Sequence, residues 1–589
     1  MKLTRNALTT LKKRYLLKDA QGKVIETPEQ MFRRVASTIA SAEKVFGGED
    51  RKWEGRFYDA MSGLLFLPNT PTLINAGKSL GQLAACFVLP VDDSMKSIFG
   101  SLKDAALILQ SGGGTGFSFS KLRPRADVVK STGGIASGPV SFMRIYNTAT
   151  EVIKQGGARR GANMGILRID HPDILEFIKI KRHAEELLNF NISIAVTDSF
   201  MESLKKNSKY TLLNPRSMEP AGTLNARKVF DEIVESAWET GDPGLIFIDR
   251  INRDNPTPHI GEIESTNPCG EQPLLPFEAC ILGSVNLSGV LRRKQKAPHG
   301  KSGNEEDADG GGSLYEIEWD RLAYLVRLAV RFLDDAIEVN KYPLPDVEHM
   351  HRGNRKIGVG VMGWADMLIL LGVPYNSPAA CALARKVMAF IRDRAREASC
   401  ELARERGPFP NFRGSVYDTP EFISRGGLRN ATTTTIAPTG TLSIIAGCSS
   451  GIEPLFAIAY TRFVLETELH EVHRYFLEVA RKRKFYSPEL MKQVRLRGTV
   501  KGMKEVPIDV RKLFVTSHDI PPEDHIEMQA AFQEFTDNAV SKTINLRHGA
   551  SREDVARSFM LAYEKGCKGI TVFRYGSKKG TLQVQNGVD

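Results

Sequence analysis

The stretch Ser265-Thr-Asn-Pro-Cys-Gly-Glu-Gln272 sets a thiol two positions before a carboxylate. Asn267, Pro268 and Gly270 are turn formers, so the stretch reads as a loop tip that presents Cys269 and Glu271 together. Cys280 follows far enough along to return on its own strand. Cys86, in Ala84-Ala-Cys-Phe-Val-Leu89, begins another strand after two small residues that allow a close approach. A carboxylate with several thiols suits a reaction that needs a base, a hydrogen-atom or electron donor and a dithiol able to close to a disulfide. Taken singly, each piece also fits an ordinary turn or a buried structural cysteine.

Other stretches offer anion chemistry. Ser111-Gly-Gly-Gly-Thr-Gly116, Ser131-Thr-Gly-Gly134 and Gln155-Gly-Gly-Ala-Arg-Arg-Gly161 are glycine-rich loops that can bring backbone close to phosphates or sugars. Arg159 and Arg160 could grip a triphosphate or a base edge. No Walker A pattern occurs. In Thr432-Thr-Thr-Thr-Ile-Ala-Pro-Thr-Gly-Thr-Leu-Ser443, a strand running into Pro438-Thr-Gly-Thr441 and then a helix offers hydroxyls and amides to an anion. Lys356-Ile-Gly-Val-Gly-Val-Met-Gly363 contains G-x-G-x-x-G, yet no acid lies between Asp366 and Asp393 to take a ribose. Those glycines are expected in a packed strand, not in a dinucleotide fold.

The elements that must hold these residues read as α/β. Thr27-Pro-Glu-Gln30 is a capping box with proline at the first helical position. It predicts a helix from about Pro28 to Phe46, within a small helical N-terminal region over residues 1–60. From Ala162 onward short apolar strands alternate with helices such as Ala226 to Thr240. Residues 292–312 are first basic, then acidic, then a glycine run, and read as a surface insertion. A long amphipathic helix resumes over Trp319 to Val339. A last strand is expected over Gly566 to Gly576, with Cys567 inside it and a short polar tail, 577–589, beyond.

Composition narrows the class. The chain has 589 residues, 42% hydrophobic and 25% charged, ordinary for a soluble globular protein. No apolar run is long enough to span a membrane, and no signal-peptide core opens the chain. Seven cysteines in such a length are too sparse for a disulfide framework, which points to a reducing cytoplasm. The net charge of +11 suits anionic ligands such as nucleotides. No interleaving of aromatic and basic residues favours a nucleic-acid groove.

Thr70, Cys86, the glycine loops, Asn267-Pro-Cys-Gly-Glu271, Cys280 and Pro438-Thr-Gly-Thr441 stand in an order that resembles the catalytic chain of ribonucleotide reductases. The resemblance runs from about Leu3 to Gly576. It implies a ten-stranded α/β barrel over residues 61–576 with a central finger loop. It implies that Cys269 is the thiyl radical that takes the substrate 3′-hydrogen, that Glu271 accepts the 3′-hydroxyl proton and that Asn267 orients the sugar. Cys86 and Cys280 would protonate the departing 2′-hydroxyl, reduce the sugar and end as a disulfide. Pro438, Thr439, Gly440, Thr441 and Leu442 would bind the substrate phosphates, with Thr70, Ala85 and Gly114 lining the site.

The class follows from the same resemblance. Ile570-Thr-Val-Phe-Arg-Tyr575 has no tyrosine pair like that of the class served by a metal subunit, and Glu271 sets the chain apart from the glycyl-radical class. The adenosylcobalamin-dependent class remains, with no metal site of the protein's own. Its cofactor would break at the cobalt–carbon bond to a deoxyadenosyl radical that oxidises Cys269. Ribonucleoside diphosphates are the expected substrates. Deoxynucleotide or ATP effectors would act at a homodimer interface through Asp93, the 131–137 loop, Gln155, Arg159 and Arg160. The chain starts at the helical region, so no ATP-cone switch is expected. No thiol follows Cys567, so either the chain is truncated, or an external dithiol, a thioredoxin-type reductant or a separate chain with a cysteine tail would reopen the disulfide. The alternatives are a metal-subunit-dependent large subunit and a catalytically idle nucleotide-binding protein.

Overall fold

Ala279–Asn286 is an eight-residue strand with every residue buried, and it is the seam of the molecule. In this computed structural model the described residues are all of 1–589 except 130–132, 154–160, 183–185, 295–312, 465–466, 578–581 and 584–589. Ten strands in chain order make the main sheet. They are β1 (Phe66–Pro68), β2 (Cys86–Leu89), β3 (Gly114–Ser118), β4 (Asn163–Arg168), β5 (Phe190–Val196), β6 (Gly244–Phe247), β7 (Ala279–Asn286), β8 (Ile357–Met362), β9 (Thr543–Leu546) and β10 (Gly569–Arg574).

Strands β2 through β6 are parallel neighbours in sequence order. Strand β7 runs antiparallel to β1 and β2 and parallel to β8. At the other side β10 is antiparallel to β6 and parallel to β9. Residues 432–436 close the ring: Thr434 bridges Val359 of β8, and Ile436 bridges Val540 just before β9, both in parallel. The result is a closed barrel, in line with the α/β barrel expected from the sequence: β2–β6 form one parallel run, β7, β8, residues 432–436, β9 and β10 form the other, the two meet antiparallel at β2–β7 and β6–β10, and β1 lies antiparallel on β7. Parallel strands covered on both faces should read as near-continuous apolar runs, as β8 does. Its Gly358 and Gly360 pack against Thr435, the packed-strand role expected of the G-x-G-x-x-G stretch.

Side chains alternate across the wall. On β2, Phe87 and Leu89 join the large outer core, whereas Cys86 and Val88 form a small inner cluster with Leu274, Cys280 and Leu282. Met164, Ile166, Ala195 and Ile246 fill the rest of the inside with Ile263 and Leu275. Period-two alternation thus sends both cysteines inward while their neighbours anchor the strands to the covering helices.

Three helices precede the barrel: α1 (Arg5–Arg14), α2 (Pro28–Ala40) and α3 (Asp50–Ser62). The capping box of Thr27 and Gln30 is formed. The α-helix stops at Ala40, short of the expected Phe46, and the chain continues as a 3-10 turn over Ser41–Phe46. That turn delivers Glu43 into a buried charge cluster: Glu43, Asp334 and Asp335 all contact Arg406, at 2.8, 3.0 and 2.6 Å, with each side chain fully buried. The cluster ties the N-terminal helices to the helices Trp319–Val339 and Pro378–Arg406 behind the barrel.

Two more expectations change. Cys567 is not in the last strand; it is buried ahead of β10, which starts at Gly569. The tail contributes Leu582–Gln583, which pairs with Thr461 and Arg462 of a hairpin. The expected insertion lies mostly outside the described residues; where it begins, Leu291–Arg293 pairs with Tyr315–Ile317. Among the described residues no helix is long and apolar enough to cross a membrane.

Candidate active site

Ser265–Thr266 pairs antiparallel with Pro273–Leu274, making a narrow hairpin inside the barrel with residues 267–272 at its tip. Asn267 clasps the tip shut. Its N–H donates to the Gln272 carbonyl (3.1 Å), and its Oδ1 accepts from the Gln272 N–H (3.0 Å). Its carbonyl accepts from the Gly270 N–H (3.0 Å), with Gly270 in the left-handed region at φ +78°. The far half of the barrel holds the other limb: the Glu271 carbonyl accepts from Thr435 Oγ1 and from the Ala539 N–H, each at 3.0 Å.

Strand β3 has to pass very close to this hairpin. A β-carbon at Gly116 would stand 1.8 Å from the Thr266 carbonyl oxygen, and one at Gly114 would stand 3.0 Å from the Pro268 ring. This corrects the reading of 111–116 as a phosphate loop. Its last three residues are barrel strand, and their glycines make room for the hairpin. Gly114 lies against the loop tip.

The three thiols are placed differently. Cys269 is exposed at the tip, whereas Cys86 and Cys280 are buried in the wall, and none of them is in a disulfide. The β2–β7 register sets Cys280 directly opposite Cys86. Residues so paired have Cα atoms about 4.5–5.5 Å apart, within reach of a disulfide. Asn267 Nδ2 donates to Cys86 Sγ at 3.1 Å, so the clasp of the loop also touches the thiol pair. Burial pushes the Cys280 thiol well above its ordinary range; Lys356 opposes this, and Glu278 and Glu271 add to it. The Glu271 side chain is 3% exposed and close enough to act on that thiol.

Ala85 and Ala437 pack against the inner cysteine cluster. The latter leads directly into Pro438 and Thr439, whose left-handed backbone (φ +52°) opens the short helix Gly440–Ala446. Thr439 Oγ1 accepts from the Gly451 N–H at 2.7 Å, which fixes the loop. Thr70 joins from the other side: Asn69 donates its N–H to the Leu282 carbonyl of β7 at 2.8 Å. Thr70, Ala85, Gly114, the thiol pair and the Pro438–Leu442 loop therefore gather at the inner wall.

Two residues here were missed from sequence. Arg14 Nη1 donates to Thr441 Oγ1 at 3.2 Å, and the Tyr15 and Thr70 hydroxyls are hydrogen-bonded at 3.0 Å. The signal was the basic run Lys12-Lys13-Arg14, which reads equally well as a solvated surface. Of the effector residues, Asp93 is paired with Arg123 Nε at 2.8 Å. Gln155, Arg159 and Arg160, and part of the 131–137 loop, lie outside the described residues. Among the described residues no cluster of His, Cys, Asp and Glu could hold a metal ion.

Behind the Gly440–Ala446 helix lies a cavity of about 540 Å³, lined by Ser443, Phe456, Tyr460, His473, Thr543 and Asn545 among others. Thr543 and Asn545 alternate along β9 with Ile544 and Leu546 of the outer core, so their side of the strand is the barrel interior.

Comparison with known proteins gives the same answer along the whole chain. Residues 1–81 match the all-alpha domain of ribonucleotide reductase, and residues 84–573 match its barrel domain. A vitamin B12-dependent ribonucleoside-diphosphate reductase of Thermoplasma acidophilum is 50% identical, covering 99% of this chain and 80% of the relative. One of Mycobacterium tuberculosis is 46% identical, covering 99% and 81%. Among solved structures, the alpha subunit of the Actinobacillus ureae class Id ribonucleotide reductase superposes with a TM-score of 0.77 at 22% identity, covering 98% of this chain and 97% of that one, a likeness of fold. With both domains matched and relatives this similar, the chain belongs to the ribonucleotide reductase family.

Proposed function

We propose that this protein reduces ribonucleoside diphosphates to 2′-deoxyribonucleoside diphosphates in dependence on adenosylcobalamin, with a cysteine pair as the immediate reductant. The observation that carries the reading is the register of Cys280 opposite Cys86, with Asn267 of the Cys269–Glu271 loop hydrogen-bonded to that pair. The relatives' dependence on vitamin B12 supplies the cofactor.

The residues present fit such a cofactor. The thiol to be oxidised is the exposed one, Cys269. The last strand aims no tyrosine pair inward: Arg574 is tied to the Trp238 and His548 carbonyls, and Tyr575 packs on His518. The 540 Å³ cavity offers Phe456, Tyr460 and His473 to hold part of a large ring system at the barrel mouth. When bound, adenosylcobalamin supplies one oxidising equivalent by homolysis of its cobalt–carbon bond.

The chain's own residues do the rest. Cys269 carries the equivalent as a thiyl and takes hydrogen from C3′ of the ribose. Glu271 accepts the 3′-hydroxyl proton, which turns the poor 2′ leaving group into one that departs as water once a thiol of the Cys86–Cys280 pair protonates it. Asn267 orients the sugar hydroxyls. The pair then delivers two electrons and closes to a disulfide, and Cys269 returns its hydrogen to C3′. Burial of Cys280 keeps that thiol protonated until it is needed. Pro438 through Leu442 hold the diphosphate, with Arg14 as the cation beside Thr441.

Two finer points belong to the same reading. Met95, Phe99 and Leu107 on the helix Met95–Gln110, and Ile145 and Val152 on the helix Pro139–Val152, are exposed apolar side chains. That face supports a homodimer, with Asp93 and the 131–137 and 155–161 loops serving an effector. A cysteine pair that must be reopened each cycle suits a reducing cytoplasm with a dithiol or thioredoxin-type reductant.

The test is a ribonucleotide reduction assay with adenosylcobalamin and excess small dithiol, with electron paramagnetic resonance on the mixed sample. Deoxynucleotide product and a cobalt(II)–thiyl signal are expected. Absence of both would leave an idle nucleotide-binding protein as the better reading.

A further inference from the structure

The row of side chains across the inner wall does not end at the cysteine pair. Cys86 lies opposite Cys280 in the antiparallel β2–β7 ladder. On the other edge of β7, Ile281 pairs with Ile357 in the parallel β7–β8 ladder, so Lys356 comes level with Cys280. Two adjacent strands and the residue that leads into the next, β8, thus bring thiol, thiol and ammonium side by side. Lys356 is 1% exposed, and its Nζ is fixed by Glu278 Oε2 at 2.6 Å. Glu278 is itself held by the Leu275 N–H at 2.6 Å and by Asn354.

A path leads from Lys356 towards water. A cavity of about 10 Å³ is lined by Lys356, Thr432, Asp537, Asn538, Lys568 and Asp254. That is room for about one water molecule among several polar groups. Lys568 Nζ contacts Asp254 at 2.9 Å, and the Asp254 side chain is 55% exposed.

We propose that Lys356 is a positioning residue for reopening the disulfide: its ammonium stabilises and reprotonates the Cys280 thiolate, which makes Cys280 the leaving group and Cys86 the sulfur attacked. This rests on the reading of Cys86 and Cys280 as the redox pair. A thiolate of the external dithiol attacks Cys86 Sγ, a new S–S bond forms, and the Cys86–Cys280 bond breaks with its electron pair going to Cys280. A proton from Lys356 neutralises that sulfur, and Lys356 regains one from solvent by way of Lys568 and Asp254. The second thiolate of the dithiol then attacks the sulfur bound to Cys86. The dithiol becomes a disulfide, and Cys86 leaves as a thiolate and takes a proton from solvent. Two electrons pass in all.

The physical need is plain. Cys280 is fully buried, so its thiolate has no water to stabilise it, and a leaving thiol departs more slowly as its pKa rises. The charged groups acting on it are Lys356 on one side and Glu278 and Glu271 on the other, and Lys356 alone favours the thiolate. Cys86, at 3% exposure, is the only one of the pair with any accessible surface.

The full chain is oxidised chemically with diamide to form the Cys86–Cys280 disulfide, so the test does not depend on reductase turnover. Reaction with 2-mercaptoethanol, followed by acid quench and peptide mass spectrometry, should find the mixed disulfide on Cys86. In Lys356→Gln combined with Glu278→Gln, which leaves no lone buried charge, reopening by dithiothreitol should slow roughly tenfold or more, with adduct appearing on Cys280. Lys356→Arg keeps the charge but cannot give up a proton, so it should recover only part of the rate and should leave the adduct on Cys86. Adduct on Cys280 in the unmodified chain, or an unchanged rate in the double variant, would overturn the proposal while leaving the proposed reaction standing. If diamide does not join the two cysteines, the proposed function fails and this inference with it. The wild-type adduct position needs no variant, so a misfolded double variant does not spoil the test.

Discussion

Arg14 Nη1 donates to Thr441 Oγ1 at 3.2 Å, joining the end of the first helix to the first turn of the helix Gly440–Ala446. The two residues are 427 positions apart, and the bond puts a guanidinium beside that turn. Charge-assisted hydrogen bonds to phosphate contribute about 1.5–3 kcal/mol. Arg14→Met should therefore raise KM for a ribonucleoside diphosphate about 10- to 100-fold with kcat largely kept, as measured by steady-state kinetics. An unchanged KM would remove Arg14 from the phosphate site.

Gly116 has no room for a side chain. A β-carbon there would meet the Thr266 carbonyl at 1.8 Å, and neither the barrel strand nor the hairpin can yield without losing its ladder. Gly116→Ala should cost about 1–3 kcal/mol of stability and displace the loop that carries Cys269. The expected result is loss of activity beyond what the fall in melting temperature explains. Full activity would mean that the hairpin tolerates a shift of that size.

The sequence carried local chemistry well and long-range registration poorly. The helix Trp319–Val339 and the capping box at Thr27 are where the residues place them, because apolar period and cap chemistry are local signals. Asn267, Cys269 and Glu271 were legible for the same reason, being one turn-forming stretch. That Cys86 faces Cys280 depends on which residue of β2 meets which of β7, and only the register states it. Gly114 and Gly116 looked like a phosphate loop because glycine reports close approach without saying what approaches. Residues 432–436 join the barrel through isolated bridges and side-chain hydroxyls, so their role at the closure is invisible to strand propensity. The contact of Arg14 with Thr441 was hidden because a basic run looks the same on an open surface and folded back against a loop.

Arg406 sits among three buried carboxylates, Glu43, Asp334 and Asp335. Burial alone would raise the Asp334 pKa; Arg355, Arg429 and Arg406 outweigh it and hold the group at about 2. Asp335 goes the other way, pushed well up by burial and by its negative neighbours despite Arg406. Arg406→Met would leave these groups short of positive charge and cost about 3–5 kcal/mol at neutral pH. The sign of the pH dependence follows. Arg406 is the group that opposes the rise at Asp335, so without it that carboxyl titrates still further above its unfolded value, and its contribution is intact at low pH and lost as pH rises. Thermal unfolding of the variant should therefore show a smaller deficit at pH 5 than at pH 8. A deficit that grows on acidification would contradict this.

Cys269 and Cys280 should separate cleanly in a labelling experiment, because alkylation needs both access and a thiolate. Cys269 is exposed at the hairpin tip. Cys280 is fully buried, and burial pushes its thiol well above the ordinary range even with Lys356 nearby. Cys381, Cys400, Cys448 and Cys567 are also raised by burial, so none of them should compete at moderate pH. Limiting iodoacetamide at pH 8 should modify Cys269 first, as read by peptide mass spectrometry, and Cys280 should stay unmodified until the fold opens. Since Cys269 is not part of the Cys86–Cys280 pair, the alkylated protein should still close that disulfide with diamide and still bind a nucleoside diphosphate. It should form no deoxynucleotide. Cys269→Ser should match it on all three counts, with product formation down by several orders of magnitude, because a serine hydroxyl cannot take the place of the thiyl. If alkylated protein keeps turning over, the hydrogen-abstracting sulfur is not the one at the hairpin tip.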